Sequence, residues 1–335
     1  VIISRTPFRV SFFGGGTDYP VWYRENGGAV LGTTIDKYCY ISCRYLPPFF
    51  EHKHHIVYSQ IEAVREIDEI DHPSVRETMR FMNIVHGLEI HHDGDLPART
   101  GLGSSSSFTV GLLNSLWALK GVMASKPRLA ADAIHVEQDL IKENVGSQDQ
   151  VLVACGGFNR VEFRGERQFE VSPVTIGADR LDQLQEHLML FFTGFCRKAS
   201  EIAAEQIKET PNKKAELTRM REMVDEAVAI LNEKDDLERF GKLLHQGWQL
   251  KRSLSSRISN SEIDSIYDQA LNNGAVGGKL LGAGGGGFIL LFVKPELRAK
   301  VKERLGRLLH VPFRFETTGS QIIFYEPERP QGNVT

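Results

Sequence analysis

The chain has 335 residues, with 40 Lys+Arg against 43 Asp+Glu, a net charge of −3. At roughly 150 residues per domain this predicts two domains, and 41% hydrophobic with 25% charged residues excludes a disordered chain. The slight acidic surplus argues against a nucleic-acid binder, and the longest apolar run, Phe288 to Val293, is too short to cross a membrane. Val1 to Arg5 reads as a strand rather than a signal peptide. Arg9 to Phe13 is β-prone and ends in Gly14-Gly15-Gly16; Asp36 to Tyr45 reads as a strand with Cys39 and Cys43 on one face. Cys39, Cys43, Cys155 and Cys196 form no CxxC pair, which predicts a reduced, cytoplasmic protein. His52, His54 and His55 form an HxHH run on a loop, with Glu51 as the one acid beside them and no thiol. They read as surface or phosphate-contacting histidines rather than zinc ligands, and His91-His92 carries no functional reading.

Helices are predicted over 73–87 and 108–119 and from Pro127 to Gly146, with strands over 151–171 around Gly156-Gly157. A second half begins near 180, with a buried strand at Leu188 to Phe192. Helices follow over 199–206, 214–231, 237–250 and 261–273, then a Gly loop feeding the strand Phe288 to Val293. A helix over 296–309 and a strand over 321–325 close the chain. Interleaved strands and helices in both halves predict an α+β protein of two lobes, 1–178 and 179–335.

Glycine, 31 of 335 residues, is clustered in three loops. Pro97 to Ser107, PARTGLGSSSS, runs directly into an apolar helix. Gly101 and Gly103 permit unusual backbone angles, and the helix N-terminus offers unpaired N–H groups to an anion. A flexible linker is the bland alternative, and the helix that starts at once argues against it. The loop is not a Walker A motif, since Gly278-Lys279 is followed by Leu280. Gly282 to Gly287 matches GxGxxG but enters a strand, which is wrong for a Rossmann fold; a hairpin between lobes is its plain reading. Gly14 to Tyr19 carries Thr17 and Asp18, a pair suited to gripping sugar hydroxyls, or a turn in which Asp18 caps the next helix.

Three such loops in this order resemble the GHMP kinase superfamily. The first motif looks like Pro7-Phe8-Arg9 through Asp18, the phosphate loop like Pro97 to Ser106, and the third like Lys279 to Gly287. The family often has Ala where this chain has Ser106-Ser107, and small side chains are retained. The wording GGGTDYP and ASEIAAEQIK is similar to sugar-1-kinases, those for a seven-carbon sugar phosphate before those for fucose. The resemblance implies a two-lobed GHMP-kinase-like fold. Its N-terminal lobe is like ribosomal protein S5 domain 2, and its C-terminal lobe is ferredoxin-like. It also implies transfer from ATP to the anomeric C1 hydroxyl of a seven-carbon sugar 7-phosphate.

By that resemblance Pro97, Gly101, Leu102, Gly103, Ser104, Ser105, Ser106 and Ser107 hold the nucleotide, and Ser105 and Glu137 hold Mg²⁺, for which hard oxygen ligands are suited. Asp149, twelve residues after Glu137, stands where the family has its catalytic aspartate; Arg9 stands where several relatives place a Lys at the transferring phosphate. Gly15, Gly16, Thr17, Asp18, Gly284 and Gly285 are expected at the sugar, with Arg44, Lys53 and Arg197 as cations for a distal phosphate. Plainer readings stand beside each: a helix-surface charge for Glu137, a turn residue for Asp149, a strand-edge charge for Arg9. The expected partners are a small sugar phosphate and ATP, with no nucleic acid and no membrane. A non-catalytic sensor would be signalled by loss of Asp149 or Ser105, and an RNA-binding module by a basic stripe; neither signal is present.

Overall fold

A computed structural model of the chain describes residues 1–98, 100–194, 199–233 and 236–327. The first lobe runs β1 (Ile2–Phe13), α1 (Pro20–Asn26), β2 (Gly28–Tyr45), β3 (His54–Val57), β4 (Ile61–Val64), α2 (Pro73–Phe81), β5 (Leu88–Gly94), α3 (Ser104–Leu119), α4 (Lys126–His135), α5 (Gln148–Cys155), β6 (Phe158–Arg164) and β7 (Gln168–Pro173). The second runs α6 (Ala178–His187), β8 (Leu188–Phe192), α7 (Ala199–Glu209), α8 (Lys214–Asn232), α9 (Glu238–Ser253), α10 (Ser261–Asn272), β9 (Ala275–Leu280), β10 (Phe288–Val293), α11 (Arg298–Arg304) and β11 (Leu309–His310). Two further strands, β12 (Phe315–Glu316) and β13 (Gln321–Tyr325), follow.

β2 organises the first sheet. Along one edge it pairs antiparallel with β1; along the other its first half pairs with β6 and its second half with β5. β3 joins β5 in parallel and forms a hairpin with β4. The second sheet is antiparallel in the order β11-β8-β10-β9. The expected division at residue 178 needs a correction. β13 pairs with β1 and β12 with β2, so the chain returns to complete the first sheet. Among the described residues no helix is long and apolar enough to cross a membrane.

Helix α3 is buried almost all round, packed on β1 and β2. Gly111 makes that close approach possible: a Cβ there would lie 2.9 Å from Thr6 Oγ1, and Ser4 Oγ donates to the Gly111 carbonyl at 2.8 Å. Two further expectations change. Residues 148–155 are helical rather than extended, because a short buried apolar run such as Val151 to Ala154 suits either state. The helix from Pro127 does not reach Gly146; α4 ends at His135 and passes through a π-turn, Val136–Leu140. Such turns widen a helix locally, and this one carries Glu137 inward.

Candidate active site

Four elements converge where β1 meets the start of α3. Arg9, on β1 and 3% exposed, makes a two-pronged ion pair with Asp149, on the first turn of α5: Nε to Oδ1 at 2.7 Å and Nη2 to Oδ2 at 2.6 Å. Its Nη1 donates to the Gly101 carbonyl at 2.7 Å, and its backbone N–H donates to Leu102 at 2.9 Å. The guanidinium has five N–H groups, so two remain for a ligand. Gly103 is left-handed (φ 76°), and a Cβ there would press on Arg9 Cγ at 3.0 Å and Asp149 Oδ2 at 3.5 Å. The loop thus lies directly over the pair.

The loop also locks to the third glycine segment. A Cβ on Gly101 would sit 2.3 Å from the Leu281 carbonyl oxygen, and one on Gly282 would sit 2.4 Å from Gly101 Cα. Gly284 and Gly285 lie against Ile258, whose carbonyl accepts from the Gly285 N–H at 2.9 Å, rather than beside Asp149. The four serines divide. Ser105 is exposed and Ser104 half-buried at the helix start, whereas Ser107 is buried with its hydroxyl donating to the Pro7 carbonyl at 2.9 Å. Ser106 is buried and donates to Glu137 Oε2 at 2.9 Å. Ser107 therefore serves the fold, and Ser106, not Ser105, touches Glu137. Pro97 is exposed and accepts from Thr100 Oγ1 at 2.8 Å.

Glu137 is fully buried, which ends its reading as a surface charge. Its Oε2 takes Ser106 and Gln150, while Oε1 has no hydrogen-bond partner. Burial foremost, with Glu143 adding to it, pushes its carboxyl up to about 8. A buried carboxylate with an orphaned oxygen, held by Ser106 at the start of α3, suits a hard divalent cation.

In the first glycine turn Thr17 is wholly occupied. Its Oγ1 donates to Gly14 and Ala29 carbonyls at 2.8 and 2.9 Å and accepts from the Ala29 N–H at 3.1 Å. It shapes the turn and offers no hydroxyl to a sugar. Asp18 is 1% exposed and accepts from the Gly16 and Gln148 N–H groups at 2.8 and 3.3 Å. Burial raises its carboxyl; the Gly16 N–H opposes this, and the nearby Asp149 charge adds to it. Asp18 and Asp149 thus face one space, with Gly15 and Gly16 buried in the turn beside them.

Two lysines given no role by sequence complete the site. Lys251, on the last turn of α9, is buried and donates to the Gly282 carbonyl. Burial and then the Arg9 charge bring its ammonium down to about 8, against Asp18 and Asp149. Lys279, on β9, donates to the Phe12 carbonyl at 2.8 Å, and burial holds it well below the usual range. With Phe12, Phe13 and Gly14 they line one small cavity. Basic residues in a helix's last turn are ordinary, so nothing in the sequence marks Lys251.

The expected distal-phosphate cations are not in this place. Arg9 faces Thr34 on β2, and Arg44 lies ten residues further along the same strand. At about 3.3 Å per residue that is roughly 30 Å away. Arg44 there binds Glu89 at 2.5 Å, and Lys53, exposed, pairs its N–H with Val64. Arg197 lies outside the described residues. A cleft of about 460 Å³ between Gln185 and Arg314 opens on the second sheet and contains none of the site residues.

Residues 62–157 match the family description "GHMP kinases N terminal domain", and residues 226–310 match "GHMP kinases C terminal". The chain is 28% identical over 307 residues to the D-glycero-alpha-D-manno-heptose 7-phosphate kinase of Campylobacter jejuni, covering 88% of this chain and 90% of that one. It is 25% identical to the bifunctional fucokinase/GDP-fucose pyrophosphorylase of Arabidopsis thaliana, covering 89% of this chain and 30% of that protein. A crystal structure of a D-glycero-D-manno-heptose 1-phosphate kinase from Bacteroides thetaiotaomicron shares the fold, with a TM-score of 0.76 over 96% of this chain and 98% of that one at 22% identity. With residues 62–157 and 226–310 matched and the phosphate loop lying between the Arg9–Asp149 pair and the third glycine loop, the chain belongs to the GHMP kinases.

Proposed function

We propose that the chain transfers the γ-phosphate of ATP to the anomeric C1 hydroxyl of a seven-carbon sugar 7-phosphate, giving a 1,7-bisphosphate. The observation that carries this reading is the Arg9–Asp149 pair beneath the Gly101–Ser105 loop, with Asp18 buried beside it. The name of the Campylobacter jejuni relative supports the acceptor. Phosphoryl transfer needs positioning and charge neutralisation more than covalent help. Backbone N–H groups at the start of α3 receive the nucleotide's phosphates. Asp149 accepts the hydroxyl proton, and Arg9, anchored by three bonds, turns its two remaining N–H groups to the phosphate in flight. Asp18 holds sugar hydroxyls with the lone pairs its two backbone bonds leave open. Lys251 and Lys279 replace Arg44 and Lys53 as the cations that face the acceptor.

Glu137, with Ser105 at the open side, is the place for Mg²⁺, which when bound neutralises charge on the nucleotide's phosphates. Ser106 and Gln150 fix the orientation of Glu137. Cys39, Cys43 and Cys155 are free thiols, in keeping with a reducing, cytoplasmic setting.

A second reading, an unphosphorylated sugar such as fucose, is favoured by the distance of Arg44 and Lys53 from Asp149. The test is kcat/KM with ATP·Mg²⁺ for a heptose 7-phosphate, the free heptose and fucose, with the product's position read by phosphorus NMR. A preference above about tenfold for the phosphate, roughly 1.4 kcal/mol, is expected. Equal use of the free sugar, or preference for fucose, moves the assignment to the second reading.

A further inference from the structure

At the far end of the first sheet, His55, Glu89 and His91 come together from two strands. β3 and β5 run parallel with His55 directly opposite Glu89, and His91 stands two residues on, on the same face. Both imidazoles aim at one carboxylate oxygen. His55 Nδ1 lies 3.2 Å and His91 Nε2 3.0 Å from Glu89 Oε1, and the three ligand atoms fall within 4.8 Å of one another. We propose that His55, Glu89 and His91 form a binding site for a borderline divalent transition metal, Zn²⁺ foremost, distinct from the nucleotide's Mg²⁺ and independent of the identity of the acceptor.

The geometry is close to what such an ion requires. Tetrahedral Zn²⁺ with bonds of about 2.0–2.1 Å separates its ligands by about 3.3–3.4 Å. The two N···O distances fall short of this by a few tenths of an ångström, and the imidazole nitrogens, which lie within 4.8 Å of each other, would close by up to about 1.5 Å through side-chain rotation. Two nitrogens and one oxygen suit Zn²⁺, Co²⁺, Ni²⁺ or Cu²⁺ and do not suit Mg²⁺. Glu89 is prepared for the task. Arg44, its neighbour on β2, binds the other oxygen, Oε2, at 2.5 Å and so fixes the plane of the carboxylate.

The fourth position is open. The side chains of His55 and His91 are 27% and 42% exposed, and the His52 ring lies 5.5 Å from that of His55, within reach as a further ligand. His54, by contrast, is turned inward. It accepts from the Leu88 N–H at 3.3 Å, and burial lowers it to about 4. The carboxylate that meets His55 comes from 34 residues away, brought there by strand pairing.

Metal-free chain is titrated with Zn²⁺ by calorimetry, in excess Mg²⁺, alongside the double variant His55→Ala/His91→Ala. One Zn²⁺ per chain is expected, with affinity at least tenfold lower in the variant and unchanged Mg²⁺-dependent turnover. Co²⁺ in the parent chain should give the intense visible absorption of a tetrahedral site, absent from the variant. Equal Zn²⁺ affinity in both proteins, or no such Co²⁺ band in the parent, overturns the proposal. Should the double variant fail to fold, His91→Gln, a substitution at an exposed side chain, takes its place under the same criteria.

Discussion

Asp149 has both oxygens on one guanidinium, so Asp149→Asn removes a proton acceptor while leaving the phosphate loop in place. Turnover should fall about 10²–10⁴-fold, with ATP affinity nearly intact. A kcat within threefold of the parent, roughly 0.65 kcal/mol in barrier, removes Asp149 as the base. Lys251 gives a pH prediction. Its pKa falls from 10.5 to about 8 on folding, so between those values the unfolded chain binds more protons and stability rises with pH. Below about pH 8 the buried charge is a full cost. Lys251→Met should therefore melt several degrees higher than the parent at pH 7, and the gap should close as pH rises from 8 towards 10. A constant gap across that range rejects the burial of a charged Lys251. The same variant should raise KM for a phosphorylated acceptor. Of these residues, Arg9 and Asp18 were singled out by their places in the first motif, and Glu137 and Asp149, twelve residues apart, only by the resemblance. Lys251 was not, because its position depends on how α9 meets the third loop.

Between the glycine loops the contact is backbone to backbone, which a side chain cannot share. Gly101 has φ +84° with Leu281 in the way, whereas Gly121 has φ +73° with nothing within 4 Å. Both pay left-handed strain when replaced by Ala, about 1–2 kcal/mol. Only Gly101→Ala adds a clash, so its loss of stability in urea unfolding should be at least twice that of Gly121→Ala. Equal losses would mean the loops are not interlocked. At this scale the α3 helix and the β10 strand followed from pattern alone. The helix at Gln148–Cys155 did not, since Val151 to Ala154 are buried on all sides and show no period. Arg44 and Lys53 looked like neighbours of the sugar because they follow its loop in sequence; an 18-residue strand carries them away from it.

Across the whole molecule the return of the chain to its first sheet is the largest departure from a simple division into halves. Ser320 is the junction. Its hydroxyl lies 2.8 Å from Thr6 Oγ1 on β1 and accepts from Asn114 Nδ2 on α3 at 3.0 Å, and its N–H donates to Val153 on α5 at 3.0 Å. Ser320→Ala leaves two buried polar groups short of a partner and should cost about 1–3 kcal/mol. Thermal and urea unfolding measure it, and a change within about 0.5 kcal/mol would mean that water replaces the hydroxyl. Sequence pattern marked 321–325 as a strand but carried no sign of its partner, because pairing across such a separation is decided by which sheet edge remains open.

That late closure has a consequence for biogenesis. Arg5 on β1 waits for Gln321, 316 residues later. At about 5–20 residues per second on the ribosome, the outer edge of the first strand stays unpaired for roughly 15–60 s. A nascent chain in that interval carries an open sheet edge, the feature that invites wrong pairing. Slowing elongation before residue 321 should therefore raise aggregation and chaperone occupancy, whereas the released chain closes its own edge.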